Sequence, residues 1–115
     1  MSRIRVYVAG PMTKGDFMLN VRKAVDASQE LRERGMFPYM PQMSTLWHFV
    51  YARDYEDWMD QDFEWLAQCH ALLRIPGESS GAEREIVFAK DKGIPVFHSI
   101  EALTDWAREF QKEIA

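Results

Sequence analysis

A single cysteine, Cys69, stands in a chain of 115 residues, so no internal disulfide framework can form and the chain fits a reducing compartment. Histidine is nearly as scarce. His48, His70 and His98 are the only three, and no pair of Cys or His residues has metal-ligand spacing, so no metal site and no cofactor are expected. Long apolar runs are missing too, with nothing approaching the roughly eighteen residues of a membrane span. The opening Met1-Ser2-Arg3-Ile4-Arg5-Val6 passes straight into a strand pattern without the apolar region of a signal peptide. A soluble cytoplasmic protein with no membrane partner is the expectation. No basic run is present either: the net charge of -4 is spread along the chain, which argues against a polymeric nucleic acid as partner but leaves room for one nucleotide.

What the chain does have is core material. With 47% hydrophobic and 13% aromatic residues, it can fill one core, and residues 1–115 are expected to form one domain. Ile4 to Ala9 reads as a nearly continuous apolar strand that stops at Gly10-Pro11, the pattern of a central strand covered on both faces. A helix follows with Met18, Val21, Val25, Ser28 and Leu31 at helical spacing, and Gly35 closes it. Met36 to Met40 is a second strand, confined by Pro38 and Pro41 to an edge. Gln42 to Asp54 has no clean period; its Trp47, His48, Phe49 and Tyr51 fit a pocket wall or packing against neighbouring helices.

From Tyr55 to Cys69 a helix places Tyr55, Trp58, Met59, Trp65, Leu66 and Cys69 on one face, with Asp62 in its middle. Burying a lone carboxylate is costly, so Asp62 should face a partner or a pocket, unless it lies at the wet margin of the stripe. Ala71 to Ile75 is a third strand, Ala82 to Lys92 a helix, Ile94 to His98 a fourth strand and Ser99 to Ile114 a last helix with Leu103, Trp106, Ala107 and Phe110 inward. This alternation predicts an α/β fold: a three-layer, doubly wound parallel sheet of four to five strands, flavodoxin- or Rossmann-like, in the order 2-1-3-4. Ligands of such sheets bind at the carboxyl ends of the strands flanking the switch in winding, here the Gly10-Pro11-Met12 turn and the Pro76 to Gly81 turn. Lys14, Ser79, Ser80 and Glu85 would converge there.

Ser79-Ser80-Gly81-Ala82-Glu83-Arg84-Glu85-Ile86 starts the helix after the third strand, where free backbone N–H groups favour an anion or a working carboxylate. Ser80 as N-cap with Glu83 reaching back would be a capping box, which explains those two by helix stability alone and leaves Glu85 free.

These residues resemble the nucleoside 2-deoxyribosyltransferase-like superfamily, and more closely its small phage and bacterial DUF4406-type members. The resemblance covers most of the chain. Val6-Tyr7-Val8-Ala9-Gly10-Pro11-Met12 looks like the family's opening strand and glycine turn, and Asp62-Phe63-Glu64-Trp65-Leu66 like its Asp-Leu-x-x-Ile/Leu helix. Gly81 to Ile86 keeps a Gly-x-x-x-Glu-Ile/Leu spacing, and Gly93-Ile94-Pro95-Val96 matches a Gly-Lys-Pro-Val step. The resemblance implies Glu85 as the nucleophile at C1′ of the sugar and Asp62 as the residue that handles the base or its proton. It implies Tyr7, Gly10, Met12, Lys14, Ser79, Ser80 and Gly81 as substrate-binding candidates. The implied activity is cleavage or transfer at the N-glycosidic bond of a (deoxy)nucleoside or its 5′-monophosphate; the alternative is a catalytically silent nucleotide-binding module. A homo-oligomer, dimer or larger, is implied as well, with Trp58, Phe63 and Trp65 as surface candidates.

Departures from the pattern accompany the matches. Ser79 stands where the transferases usually carry Asp, as in relatives that hydrolyse deoxynucleoside 5′-monophosphates, and it suits a phosphate. Pro11 and Thr13 replace the Ser and Arg of phosphate-binding relatives, and His70 an Asp at the third strand.

Overall fold

The computed structural model describes residues 3–114, and for Ile114 the backbone alone. Strand β1 (Arg5–Ala9) is followed by α1 (Phe17–Glu33), β2 (Phe37–Tyr39), a 3-10 turn (Pro41–Met43) and α2 (Ser44–Val50). Helix α3 (Tyr55–Leu66), β3 (Ala71–Arg74), α4 (Ser80–Asp91), β4 (Val96–Phe97) and α5 (Ile100–Ile114) complete the chain. The four strands pair in parallel in the order β2-β1-β3-β4, the expected 2-1-3-4. Helices cover both faces, so this is a three-layer α/β fold.

The strand period of two sorts β1 between the two faces. Ile4, Val6 and Val8 enter one core with Ala24 and Leu31 of α1 and Leu103 and Ala107 of α5. Tyr7 and Ala9 enter the other with Leu66 at the end of α3, Leu72 of β3 and Ala82 and Ala89 of α4. Because Tyr7, paired with Leu72 in the β1–β3 register, lies in the second core, the one buried polar tip on β1 is delivered to the layer built by α3 and α4. That placement, more than any motif, makes the site.

Several expectations need correction. The inward face of α1 is Asn20, Ala24, Ser28 and Leu31, whereas Met18 is 70% exposed and Val25 is also exposed. A stripe drawn through the large apolar residues missed by about one position, because the chain passes close over β1 and β2 and takes small residues there. On α3 the buried face narrows to Met59, Asp62 and Leu66, while Tyr55 and Trp65 are exposed. The helix stops at Leu66 rather than Cys69, because Ala67, Gln68 and Cys69 already turn toward β3, with the Cys69 amide on the Leu66 carbonyl.

The capping of α4 also differs. Ser79, not Ser80, is the N-cap, and its hydroxyl accepts the Ala82 amide at 3.1 Å. Glu83 does not reach back; its carboxylate takes the Arg74 guanidinium at 3.1 Å. Arg74 also donates to the Gly77 carbonyl, so it ties the end of β3 to the turn that follows. Finally, the stretch without a period, Gln42 to Asp54, holds the rest of the 3-10 turn and all of α2. No residue of α2 is buried, so no apolar stripe marked it.

Candidate active site

Two helices each turn a three-residue face to the second core, and each face has a carboxylate at its centre. On α3 it is Met59, Asp62, Leu66; on α4 it is Ala82, Glu85, Ala89. The alanines let α4 lie close to the sheet, which brings Glu85 down to Tyr7. The Tyr7 hydroxyl donates to Glu85 Oε2. Asp62 is 5% exposed and Glu85 4%, and Asp62 Oδ1 has no hydrogen-bond partner. An unpaired buried carboxylate oxygen is costly in its charged form.

Burial lifts the Asp62 carboxyl from 3.8 to about 7. It lifts Glu85 from 4.5 to about 8, with the Asp62 charge adding to the rise and the Tyr7 hydrogen bond and nearby Arg74 and Arg84 opposing it. Tyr7 is pushed well above its ordinary value by burial and by the charges of Glu85 and Asp62, so it stays a donor. Glu85 therefore largely keeps its proton at neutral pH and Asp62 keeps its own about half the time, while the Tyr7 hydrogen bond eases the charging of Glu85.

Both carboxylates line one cavity of about 490 Å³ at the carboxyl ends of β1 and β3. Its rim is made by the two loops that the topology singles out. Gly10 is required where they meet: a Cβ there would lie 2.3 Å from Ile75 Cγ1. Gly77, at φ +122°, faces Pro11 across the same gap. The β1–α1 loop is shaped by Asn20, whose amide donates to the carbonyls of Met12 (3.1 Å) and Lys14 (2.7 Å).

Of the residues proposed from sequence, Gly10, Met12, Lys14, Asp62, Ser79, Gly81 and Glu85 line this cavity. Tyr7 does not; it is fully buried behind Glu85. Ser80 is exposed and does not line the cavity, because the helix begins at it and turns it outward. Lys14 pairs with Glu78 across the mouth at 3.4 Å, both well exposed. The aromatic wall was legible only as an aromatic-rich stretch: Phe17, His48, Phe49, Tyr55 and Trp58 line the cavity with Arg53. The Trp58 indole N–H donates to His48 Nδ1 at 2.7 Å, and the Arg53 backbone N–H to the same nitrogen at 3.2 Å. Trp58 is thus half-buried and part of the wall. Phe63 stacks on Phe88, and Trp65 lies exposed against Tyr39, which in turn stacks on Tyr7.

A parallel sheet in this order, with a cavity at the switch in winding, is a fold shared with known proteins. One is a 2-deoxyribosyltransferase from the psychrotolerant bacterium Bacillus psychrosaccharolyticus, described as a biocatalyst for the synthesis of nucleosides. It superposes with a TM-score of 0.65 at 20% identity, over 84% of this chain and 75% of that one. Another is a conserved protein from Enterococcus faecalis V583, with a TM-score of 0.66 at 21% identity over 83% of this chain. The match spans 62% of that second protein, so less than two thirds of its length. No curated protein gives a significant match. Residues 4–98 match the family described as Domain of unknown function (DUF4406). The chain belongs to that family, and it shares its fold with the two proteins above.

No helix among the described residues is long and apolar enough to cross a membrane.

Proposed function

We propose that this chain breaks the N-glycosidic bond of a (deoxy)nucleoside or its 5′-monophosphate, with Glu85 as nucleophile and Asp62 as the group that handles the proton of the base. The observation that carries this is the pair itself: two buried carboxyls with raised pKa values on facing helices, opening into one cavity. A Glu85 oxygen attacks C1′; the C1′–O bond forms as the C1′–N bond breaks, and the electron pair leaves with the base, which takes a proton from Asp62. Water, or the nitrogen of a second base, then attacks C1′ while giving up its proton to the Asp62 carboxylate. The C1′–O bond to Glu85 breaks, its carboxylate is released and Asp62 is reprotonated, giving hydrolysis or transfer. Tyr7 holds one Glu85 oxygen, leaving the other for the sugar. The aromatic wall suits the flat base, and Ser79 and Gly81, which line the cavity at the start of α4, suit the sugar.

A Glu85 carboxyl that largely keeps its proton near neutrality also suits a silent nucleotide-binding module. Incubation with a panel of ribo- and deoxynucleosides and their 5′-monophosphates, with free base followed by chromatography, separates the two. Base release from at least one substrate is expected; saturable binding without base release from any of them would establish the silent module instead. Adding a second free base to the same incubation distinguishes transfer, which yields a new nucleoside, from hydrolysis.

A further inference from the structure

The corner between α2 and α3 is built beyond what walling a pocket needs. His48 Nδ1 accepts two N–H groups, from Trp58 and from the Arg53 backbone, so the ring proton is left to Nε2 and the imidazole is fixed as a donor. Arg53 stands beside it with its guanidinium 5.7 Å from the Trp47 ring centre and 5.9 Å from that of Trp58. Both indoles lie within cation–π reach of this guanidinium, whose planar fork is suited to two-point recognition of phosphate. Its recorded partner, Asp57 at 2.9 Å, is a half-exposed neighbour one turn along α3; such pairs are weak and exchangeable.

The distribution of charge in the cavity gives this corner a purpose. Asp62 and Glu85 lie deep, and the cations lining the cavity are Lys14 and Arg53. Lys14 is engaged by Glu78 at the opposite lip. A ligand with its reacting carbon at Glu85 and an anionic group elsewhere would be repelled by the carboxylates unless that group found donors away from them. The His48–Arg53 corner offers those donors on the aromatic wall of the same cavity, one of them a charged fork that can exchange Asp57 for a phosphate.

We propose that His48 and Arg53 read a phosphate, so that the site takes a nucleoside 5′-monophosphate in preference to the bare nucleoside. C5′ is the one exocyclic carbon of the sugar, and it carries a phosphate clear of C1′. The chemistry rests on the glycosidic reading of Glu85 and Asp62; the binding preference does not.

Calorimetry on the Glu85→Gln chain, which leaves bound substrate intact, tests it with a 2′-deoxynucleoside, its 5′-monophosphate and inorganic phosphate. The monophosphate is expected to bind about tenfold or more tighter than the nucleoside, as a charge-assisted two-point contact would give. Its affinity alone should fall as salt is raised, a readout that needs no change at the corner. Arg53→Gln and His48→Gln, each placed in the Glu85→Gln chain, should shrink the preference by roughly fivefold or more. Equal affinity for nucleoside and monophosphate, or a preference that survives both substitutions, overturns the proposal. Inorganic phosphate binding as tightly as the monophosphate overturns it too, by making the corner an ion site rather than part of a substrate site. Absence of base release by the unsubstituted chain, with the binding preference intact, would end the glycosidic reading and leave this one standing.

Discussion

Asp62 is where local physics and stability most visibly conflict. Its folded pKa of about 7 lies above its ordinary 3.8, so between these values the folded chain keeps a proton that the unfolded chain has lost. Stability therefore falls as pH rises through that window, by about 1.4 kcal/mol per pH unit at most. Asp62→Asn, which cannot ionise, is expected to match the parent near pH 4 and to exceed it by roughly 2–4 kcal/mol near pH 8. Urea melts at the two pH values check this, and a variant less stable than the parent at the higher pH contradicts it. In the proposed mechanism the same pair sets the rate. The working form has its one proton on Asp62 and its charge on Glu85. Because Glu85 holds its proton the more tightly of the two, this is the minor of the two singly protonated forms. The rate should still peak between about 7 and about 8 and fall on both sides. A profile flat from about pH 5 to about pH 9 would be incompatible with the roles given to the pair. Asp62 was legible in sequence because a carboxylate at the centre of an apolar face is an oddity that needs no structure to notice. Tyr7 was legible only through resemblance, since a tyrosine in a strand gives no sign of what meets its hydroxyl.

Elements were legible wherever they carry a period or punctuation. The alternation of strands and helices, the prolines that put β2 at the edge and the glycines that end α1 and α4 all lie on the surface of the sequence. Faces built from small or polar residues do not. Asn20, Ala24 and Ser28 form the inward side of α1, yet Met18 and Val25 outweigh them on any hydropathy count. Helix α2 buries no residue, so the wall that holds His48 and Arg53 left only an aromatic-rich stretch as its mark. The cap of α4 was displaced by one residue, since two adjacent serines are equivalent until the turn from β3 decides which stays extended. Ser79 does, with ψ 111° and its hydroxyl on the Ala82 amide. Ser79→Ala should therefore cost about 1 kcal/mol, whereas Ser80→Ala should be within about 0.5 kcal/mol of the parent. Thermal melts of the two variants check this, and equal losses would return the cap to Ser80.

At the scale of the molecule, a twofold period along β1 sends Val6 and Val8 to one core and Tyr7 and Ala9 to the other, where α4 meets Tyr7 with Glu85 and α3 adds Asp62 to the same cavity. Around the cavity mouth the chain also exposes apolar side chains that a lone copy gains nothing by showing. Phe49 is 72% exposed, and Leu46 and Val50 of the same helix are similarly open. Self-association through this region is expected, and sedimentation should report a dimer or larger; a monomer at tens of micromolar would contradict that. The central claim is narrower than assembly, and one substitution reaches it. With whichever substrate the chain cleaves, Glu85→Gln keeps the size of the side chain and a partner for Tyr7 but removes the nucleophile. Free-base release should fall on the order of 10³-fold or more while the thermal melt stays near that of the parent. A folded Glu85→Gln chain that releases base within about tenfold of the parent rate would contradict the account.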